Sequence, residues 1–185
     1  VSGLDADSAG RASLRAALVF IRGRWKAFGA LFVGSAAVVT MGSLVFWNVA
    51  LFERVWNWNV RDVGIATGLL FLTGGTVGTL LGVRVTNGWI AAGQQHATLK
   101  ALLTGLAIAV PGFVLYPIMP SAELAICVLF FAFVGQAMAG AAGPATLTLI
   151  APGQIKSQAT AIYYLAIGIA GQLLGPLPVG LMTDL

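Results

Sequence analysis

The sequence has very few charged residues. Asp, Glu, Lys and Arg together make up 9% of its 185 residues, against about 25% in a typical soluble domain. The apolar types reach 58%, and the mean hydropathy is +0.92. So few charges cannot cover the surface of a water-soluble protein of this length, and most of that surface must face lipid. We therefore predict an integral membrane protein, with the lipid bilayer as its first partner.

Histidine and cysteine are also scarce, since each occurs once, at His96 and Cys127. A lone cysteine forms no internal disulfide and no thiolate metal cluster. A lone histidine without a nearby acid or thiol makes neither a metal site nor an acid–base pair. The glycine-rich stretch "TGGTVGTLLG" lies inside an apolar run, whereas a phosphate-binding loop needs a strand-to-helix turn in water. We predict no enzymatic activity, no metal and no cofactor.

What the sequence has instead is a series of long uncharged runs. A helix needs about 20 apolar residues to cross about 30 Å of hydrocarbon, and these runs are far longer than the strands of about 10 residues that build membrane barrels. Pro117 and Pro120 are expected to end the third helix near Tyr116, and Pro152 with Gly153 to end the fourth near Ile150. We predict an all-α polytopic bundle with five spans, over residues 27–52, 63–83, 101–118, 124–150 and 158–183.

The few charges are distributed unequally between the two sides that these spans define. One side carries eight Lys and Arg residues, five of them in the arm of residues 1–26. The other side carries Arg54 and Arg61 with Glu53, Asp62 and Glu123, and Asp184 follows the last predicted span there. The positive-inside rule places the arm in the cytoplasm. Cations in short loops and one arm are typical of membrane sidedness, so we predict no nucleic-acid partner.

Residues 11–26, "RASLRAALVFIRGRWK", predict a short amphipathic helix lying on the inner membrane surface. Leu14, Leu18 and Ile21 fall on one helical stripe, and the arginines lie mostly off it. Trp25 and Trp89 fall at the predicted inner boundary, and Trp56 and Trp58 at the outer one. Tryptophan normally collects in such belts, and aromatic stacking on a ligand is the alternative role.

No Asp, Glu, Lys or Arg lies deep inside any predicted span. Ionisable groups within a membrane mark proton relays and ion pathways. Two explanations stay open: coupling residues lie outside this sequence, or transport, if it occurs, is facilitated diffusion.

Some polar and aromatic residues do lie inside the spans. An amide in hydrocarbon is costly enough to need a reason, and a mixed amide and aromatic lining suits an uncharged or amphipathic organic solute. The alternative for each residue is an interhelical hydrogen bond or the filling of a gap. If Asn48 and Gln136 bind a solute, they should line one water-accessible cavity. The candidate binding residues are Trp47, Asn48, Gln136, Tyr163, Tyr164 and Gln172.

Three stretches carry a resemblance to a known family. They are "GQLLGPLPVGLMTD" near the end of the chain, "APGQIKSQATA" before it, with Lys156 as the loop cation, and the glycine-rich "RDVGIATGLLFLTGGTVGTLLG". The chain resembles the C-terminal half of a major facilitator superfamily transporter, from the central loop through five of its six helices, and within that superfamily it is similar to spinster-like and related bacterial permeases. Thr86 and Asn87 stand where the family's loop often has an acid and a base, so its gating ion pair is not carried over.

This resemblance implies a secondary transporter in the bacterial inner membrane. It implies rocker-switch alternating access for a small organic solute, with the N-terminal half of the same transporter as partner. Candidate hinge and gating residues are Gly143, Pro144, Gly175, Pro176 and Gly82, and static helix packing is the alternative role for these small residues. Two other classes remain open, a structural or assembly subunit of a membrane complex and, third, a membrane enzyme.

Overall fold

A computed structural model of the chain describes residues 15–94 and 96–174. These ranges are all-α and contain no strand. Short 3-10 turns lie in three of the connections between helices, at Val45–Trp47, Tyr116–Ile118 and Gly153–Ile155. The helices are α1 (residues 15–23), α2 (Trp25–Leu44), α3 (Asn48–Trp56), α4 (Val60–Ala91), α5 (Ala97–Leu115), α6 (Ala122–Ile150) and α7 (Lys156–Leu174).

Four helical stretches within the described ranges are long and apolar enough to cross a membrane. They are Trp25–Trp56, which joins α2 and α3, then Val60–Ala91, Ala97–Ile118 and Ala122–Ile150. By length and composition the chain is therefore an integral membrane protein with an all-α fold. The fifth predicted span, residues 158–183, is described only as far as Leu174, where it is helical. Its remainder, including Gly175 and Pro176, lies outside the described residues.

The helices extend further than the apolar runs that predict them. Helix α4 has 32 residues, a length of about 48 Å at 1.5 Å per residue, against about 30 Å of hydrocarbon. Its first turn contains Arg61 and Asp62, and Asn59 caps it by accepting a hydrogen bond from the Arg61 backbone N–H at 3.0 Å. Charges mark where the hydrocarbon ends, and a capped helix continues past them into water.

Glycines pack α4 closely against α6. Gly74, Gly78 and Gly82 recur every four residues along α4, and all three are buried. A methyl group at Gly78 would overlap the Val134 carbonyl oxygen and would lie 2.9 Å from Cβ of Ala137. Small residues allow such close approach when no hydrophobic force drives two helices together in lipid. Gly82, a predicted gating residue, packs here against Met138.

The interface between α5 and α6 is built the same way. A methyl group at Gly105 would lie 2.6 Å from both the Gly135 carbonyl oxygen and the Ala139 backbone nitrogen. One at Gly112 would lie 2.6 Å from Cβ of Ala132. Helices α4, α5 and α6 thus form one closely packed group, which we call the glycine-packed unit, while α2 packs mainly on α7 and α6.

Helix α1 packs on the bundle through Ala17, Phe20 and Ile21. Ala17 is fully buried, and Phe20 and Ile21 pack against the core that contains Phe28. Leu18 is 51% exposed, so it lies off this packed face, and the placement of α1 on the membrane surface stays a prediction. The chain turns at Arg24 into α2, and this turn rotates α1 so that Phe20 meets Phe28 edge-on, with ring centroids 5.9 Å apart.

The two ends of the bundle differ in charge. The end where α2 begins and α6 finishes carries no acidic side chain within the described ranges, and we call it the basic end. Its cations are Arg15, Arg22, Arg24, Lys26, Arg84, Lys100 and Lys156. The opposite end carries Arg54 and Arg61 together with Glu53, Asp62 and Glu123. Which end faces the cytoplasm stays a prediction.

Candidate functional site: polar groups along the first span

The first span changes from α-helix to a 3-10 turn in its outer third. Helix α2 ends at Leu44, residues Val45–Trp47 form a 3-10 turn, and α3 begins at Asn48. A stretch of 3-10 helix in the middle of a longer helix often marks a hinge or a site under strain. Trp47 and Asn48, both predicted binding residues, stand at this turn.

Asn48 is buried, and only one of the two polar atoms of its side chain has a described hydrogen-bond partner. Its side chain is 1% exposed, and its carbonyl oxygen accepts a hydrogen bond of 3.0 Å from the Tyr116 hydroxyl. Its amide nitrogen has no partner among the described residues. A buried donor left unpaired costs about 1–3 kcal/mol. Asn48 therefore presents an unused N–H group inside the bundle.

Trp47 presents a second unused donor. Its indole nitrogen is buried and has no partner in the described part of the chain. Trp47 lies one turn beyond Ser43, whose hydroxyl donates to the Thr40 carbonyl at 2.7 Å and reaches the Gly171 carbonyl at 3.4 Å. Consecutive helical residues point about 100° apart. The two free donors therefore face different neighbours, and an extended ligand would be needed to meet both.

The first span takes part in every side-chain hydrogen bond between helices that the described ranges contain. The four bonds join Ser43 to Gly171, Asn48 to Tyr116, the Val38 carbonyl to Gln136, and Ser35 to Tyr163. By contrast, the glycine-packed unit is held by close packing of backbone and small side chains. The first span is thus attached by polar contacts that a polar ligand could replace.

Gln136 does not share a cavity with Asn48. Its amide nitrogen donates to the Val38 carbonyl oxygen at 3.0 Å and lies 2.7 Å from the position that a methyl group on Gly42 would take. Neither amide lines the cavity beside Pro144 or the cavities at the basic end. Both amides therefore form hydrogen bonds between helices, which is the alternative to solute binding for these residues. A role for them in solute binding stays a prediction.

The two tyrosines of α7 lie in different surroundings. Tyr163 is 1% exposed, and its hydroxyl donates to Ser35 Oγ at 2.8 Å, whereas Tyr164 is 53% exposed. Both line a cavity of about 190 Å³ that also touches Ser35, Val38 and Pro144. Gln172 belongs to α7, and its side chain is outside the described structure.

The predicted hinge at Gly143 and Pro144 lies within α6, which continues unbroken through it. Gly143 is buried, and a methyl group there would lie 2.5 Å from the Tyr163 hydroxyl and 2.8 Å from Ser35 Oγ. Only a residue without a side chain leaves room for the Tyr163–Ser35 bond. Gly143 thus has a packing reason to be glycine, and its role as a hinge stays a prediction.

The tryptophans at the outer boundary have structural partners. The rings of Trp56 and Trp58 lie 4.7 and 5.7 Å from that of Phe52, measured between centroids. Trp25, at the basic end, is 67% exposed. These placements favour the aromatic-belt interpretation over stacking on a ligand.

Sequence analysis missed three partners in the site: Ser35, Tyr116 and the Val38 carbonyl. Tyr116 was noted only as the end of a helix, although a tyrosine in an apolar span needs a partner for its hydroxyl. Ser35 and Val38 carry no such signal, because a small hydroxyl and a backbone carbonyl fit anywhere on a helix.

Comparisons with protein-family models, with curated proteins and with solved structures give no match for this chain. Membership of the major facilitator superfamily is therefore a proposal, and the function of the chain is inferred from the polar groups along the first span.

Proposed function

We propose that this chain is part of a secondary transporter that moves a small organic solute across the membrane by rocker-switch alternating access. The observation that carries the proposal is the pair of buried donors without a described partner beside the 3-10 turn of the first span. The span continues as one helix through this turn, and a 3-10 stretch within a longer helix often marks a hinge. A second helical half, as the resemblance implies, would supply the opposite wall.

The free donors define the chemistry of the solute. Indole and amide N–H groups pair with carbonyl, ether or hydroxyl oxygens. Between residues 27 and 52 the first span carries no Asp, Glu, Lys or Arg, so a neutral or amphipathic solute fits better than a small ion. In this conformation Asn48 is 1% exposed, so a solute reaches it only after the first span moves, as alternating access requires.

We expect Trp47→Phe to lower uptake about tenfold, since a lost hydrogen bond to a ligand costs roughly 1.4 kcal/mol. The same change should leave thermal stability equal or slightly higher, because it deletes a buried donor that has no described partner. The measurement is uptake of radiolabelled neutral solutes into proteoliposomes containing the full-length protein, beside a melting curve. Trp25→Phe, at an exposed tryptophan, is the matched control. Wild-type uptake by the Trp47 variant would contradict the proposal.

Gln136→Ala should lower uptake several-fold while membrane abundance stays unchanged, because it removes an amide that, in the proposed transporter, pairs with the solute once the first span moves and its bond to Val38 opens. Uptake per amount of protein, quantified by immunoblot, gives the answer. Asn87→Ala, which removes an exposed amide on α4, controls for loss of an amide in general. Equal uptake in the two variants would count against a role for Gln136.

The second candidate function is a structural or assembly subunit of a membrane complex. The four hydrogen bonds between the first span and its neighbours favour it, because they bind helices together without any ligand. In such a subunit Trp47→Phe should leave uptake unchanged. Removal of the hydrogen bonds between the first span and its neighbours should instead release the other subunits of the complex. The Trp47 experiment therefore separates the two functions.

A further inference from the structure

We propose that the basic end holds one anionic phospholipid, with its phosphate beside Arg24 and one acyl chain in the groove between α4 and α6. This proposal does not depend on the proposed transport function. It is carried by two adjoining cavities with mainly apolar walls, by Arg24 in the wall of one of them, and by the charge of this end.

The first cavity has one cation and several polar groups in otherwise apolar walls. It encloses about 660 Å³ between the ends of α2, α4, α5 and α6. Its lining includes Arg24, Gln94, His96 and Thr98. The guanidinium of Arg24 lies over the Phe20 ring, 4.6 Å from its centroid, and this contact holds the cation at the wall of the cavity.

The second cavity has the character of an acyl-chain groove. It encloses about 300 Å³ between α4 and α6, and its walls are mainly apolar or small side chains such as Val83, Met138 and Ala145. The two cavities adjoin, because Ile90, Thr98 and Leu149 line both. Two adjoining, mainly apolar cavities with a cation in the wall of one of them match an anionic amphiphile better than a free ion.

The local charge selects an anionic headgroup. Lys100 Nζ donates to Gln94 Oε1 at 2.9 Å, and Gln94 lines the first cavity, so a second cation is bonded to a residue of its wall. Within the described ranges this end carries no carboxylate to pair with the ammonium group of a zwitterionic lipid. Clusters of cations next to spanning helices attract anionic lipids in this way.

The test is native mass spectrometry of the purified full chain in detergent, with phosphatidylglycerol or phosphatidylcholine of the same acyl chains. We expect preferential retention of phosphatidylglycerol, and Arg24→Gln should reduce it about fivefold, as removal of one cation from an anionic headgroup predicts. Arg61→Gln, which removes an exposed cation at the opposite end, should leave retention unchanged. Equal retention of both lipids, or no effect of Arg24→Gln, would overturn the proposal.

A second variant tests the groove. Ala145→Phe places a ring in it, while Ala107→Phe places the same ring on an exposed face of α5. Only the first should reduce lipid retention, with both variants checked for monodispersity by size exclusion. Inorganic phosphate at millimolar concentration should not displace the lipid. Displacement by phosphate alone would assign the basic cavity to a free anion and refute the lipid site.

Discussion

Gly78→Leu is expected to prevent α4 from docking on α6 and to leave little or no folded protein. A side chain at this position would overlap the Val134 carbonyl oxygen, which is backbone and cannot move aside. Overpacking in a close-packed interface costs about 1–3 kcal/mol and more when backbone must shift. The yield of monodisperse protein and the midpoint of denaturation in sodium dodecyl sulfate measure the effect.

Gly75→Leu is the matched control for this prediction. Gly75 lies on the same helix, three residues earlier, and a methyl group there meets no atom within 4 Å. Leucine also favours the helix over glycine by roughly 0.8 kcal/mol. The control should therefore fold at least as well as the wild type, and equal stability of the Gly75 and Gly78 variants would contradict the described packing of α4 on α6.

Gly143→Ala is expected to lower the free energy of unfolding by about 2 kcal/mol, within the usual range for overpacking. The added methyl group would lie 2.5 Å from the Tyr163 hydroxyl, so the ring must move and its bond to Ser35 is lost. Gly140→Ala, one turn earlier, places a methyl group 3.7 Å from Val38 Cγ1, an ordinary contact, and should change little.

A second-site variant makes this prediction sharper. Tyr163→Phe removes the hydroxyl that the new methyl group strikes, so the double variant Gly143→Ala with Tyr163→Phe should lose less stability than the two single changes added together. Neighbours that share a contact show such non-additivity of about 0.5–3 kcal/mol. Additive losses would show that Gly143 and Tyr163 do not meet.

The spans were predictable because burial in lipid needs long apolar runs, and such runs are a local property of sequence. Trp47, Asn48 and Gln136 were singled out for the same reason, since a polar group in hydrocarbon is costly wherever it lies. Their partners were not predictable. Asn48 bonds Tyr116, which is 68 residues away, and no spacing rule connects them.

The 3-10 turn in the first span also escaped prediction. Residues Val45–Trp47 contain neither proline nor glycine, the usual signals of an interrupted helix. The packing of α1 on the bundle through Phe20 was not predicted, because the turn at Arg24 sets the rotation of α1, and the apolar stripe alone does not specify that turn. Both features depend on tertiary packing, which periodicity does not encode.

Among the described residues the first span takes part in all four interhelical side-chain hydrogen bonds, and this has a consequence for biosynthesis. Gln136 is synthesised 98 residues after Val38, and Tyr163 is synthesised 128 residues after Ser35. At 5–20 residues per second, the ribosome needs about 5 to 20 s to supply Gln136. During that interval the Val38 carbonyl keeps its bond within α2 and the Ser35 hydroxyl can bond back to its own helix, so the first span can enter the membrane before its partners are made.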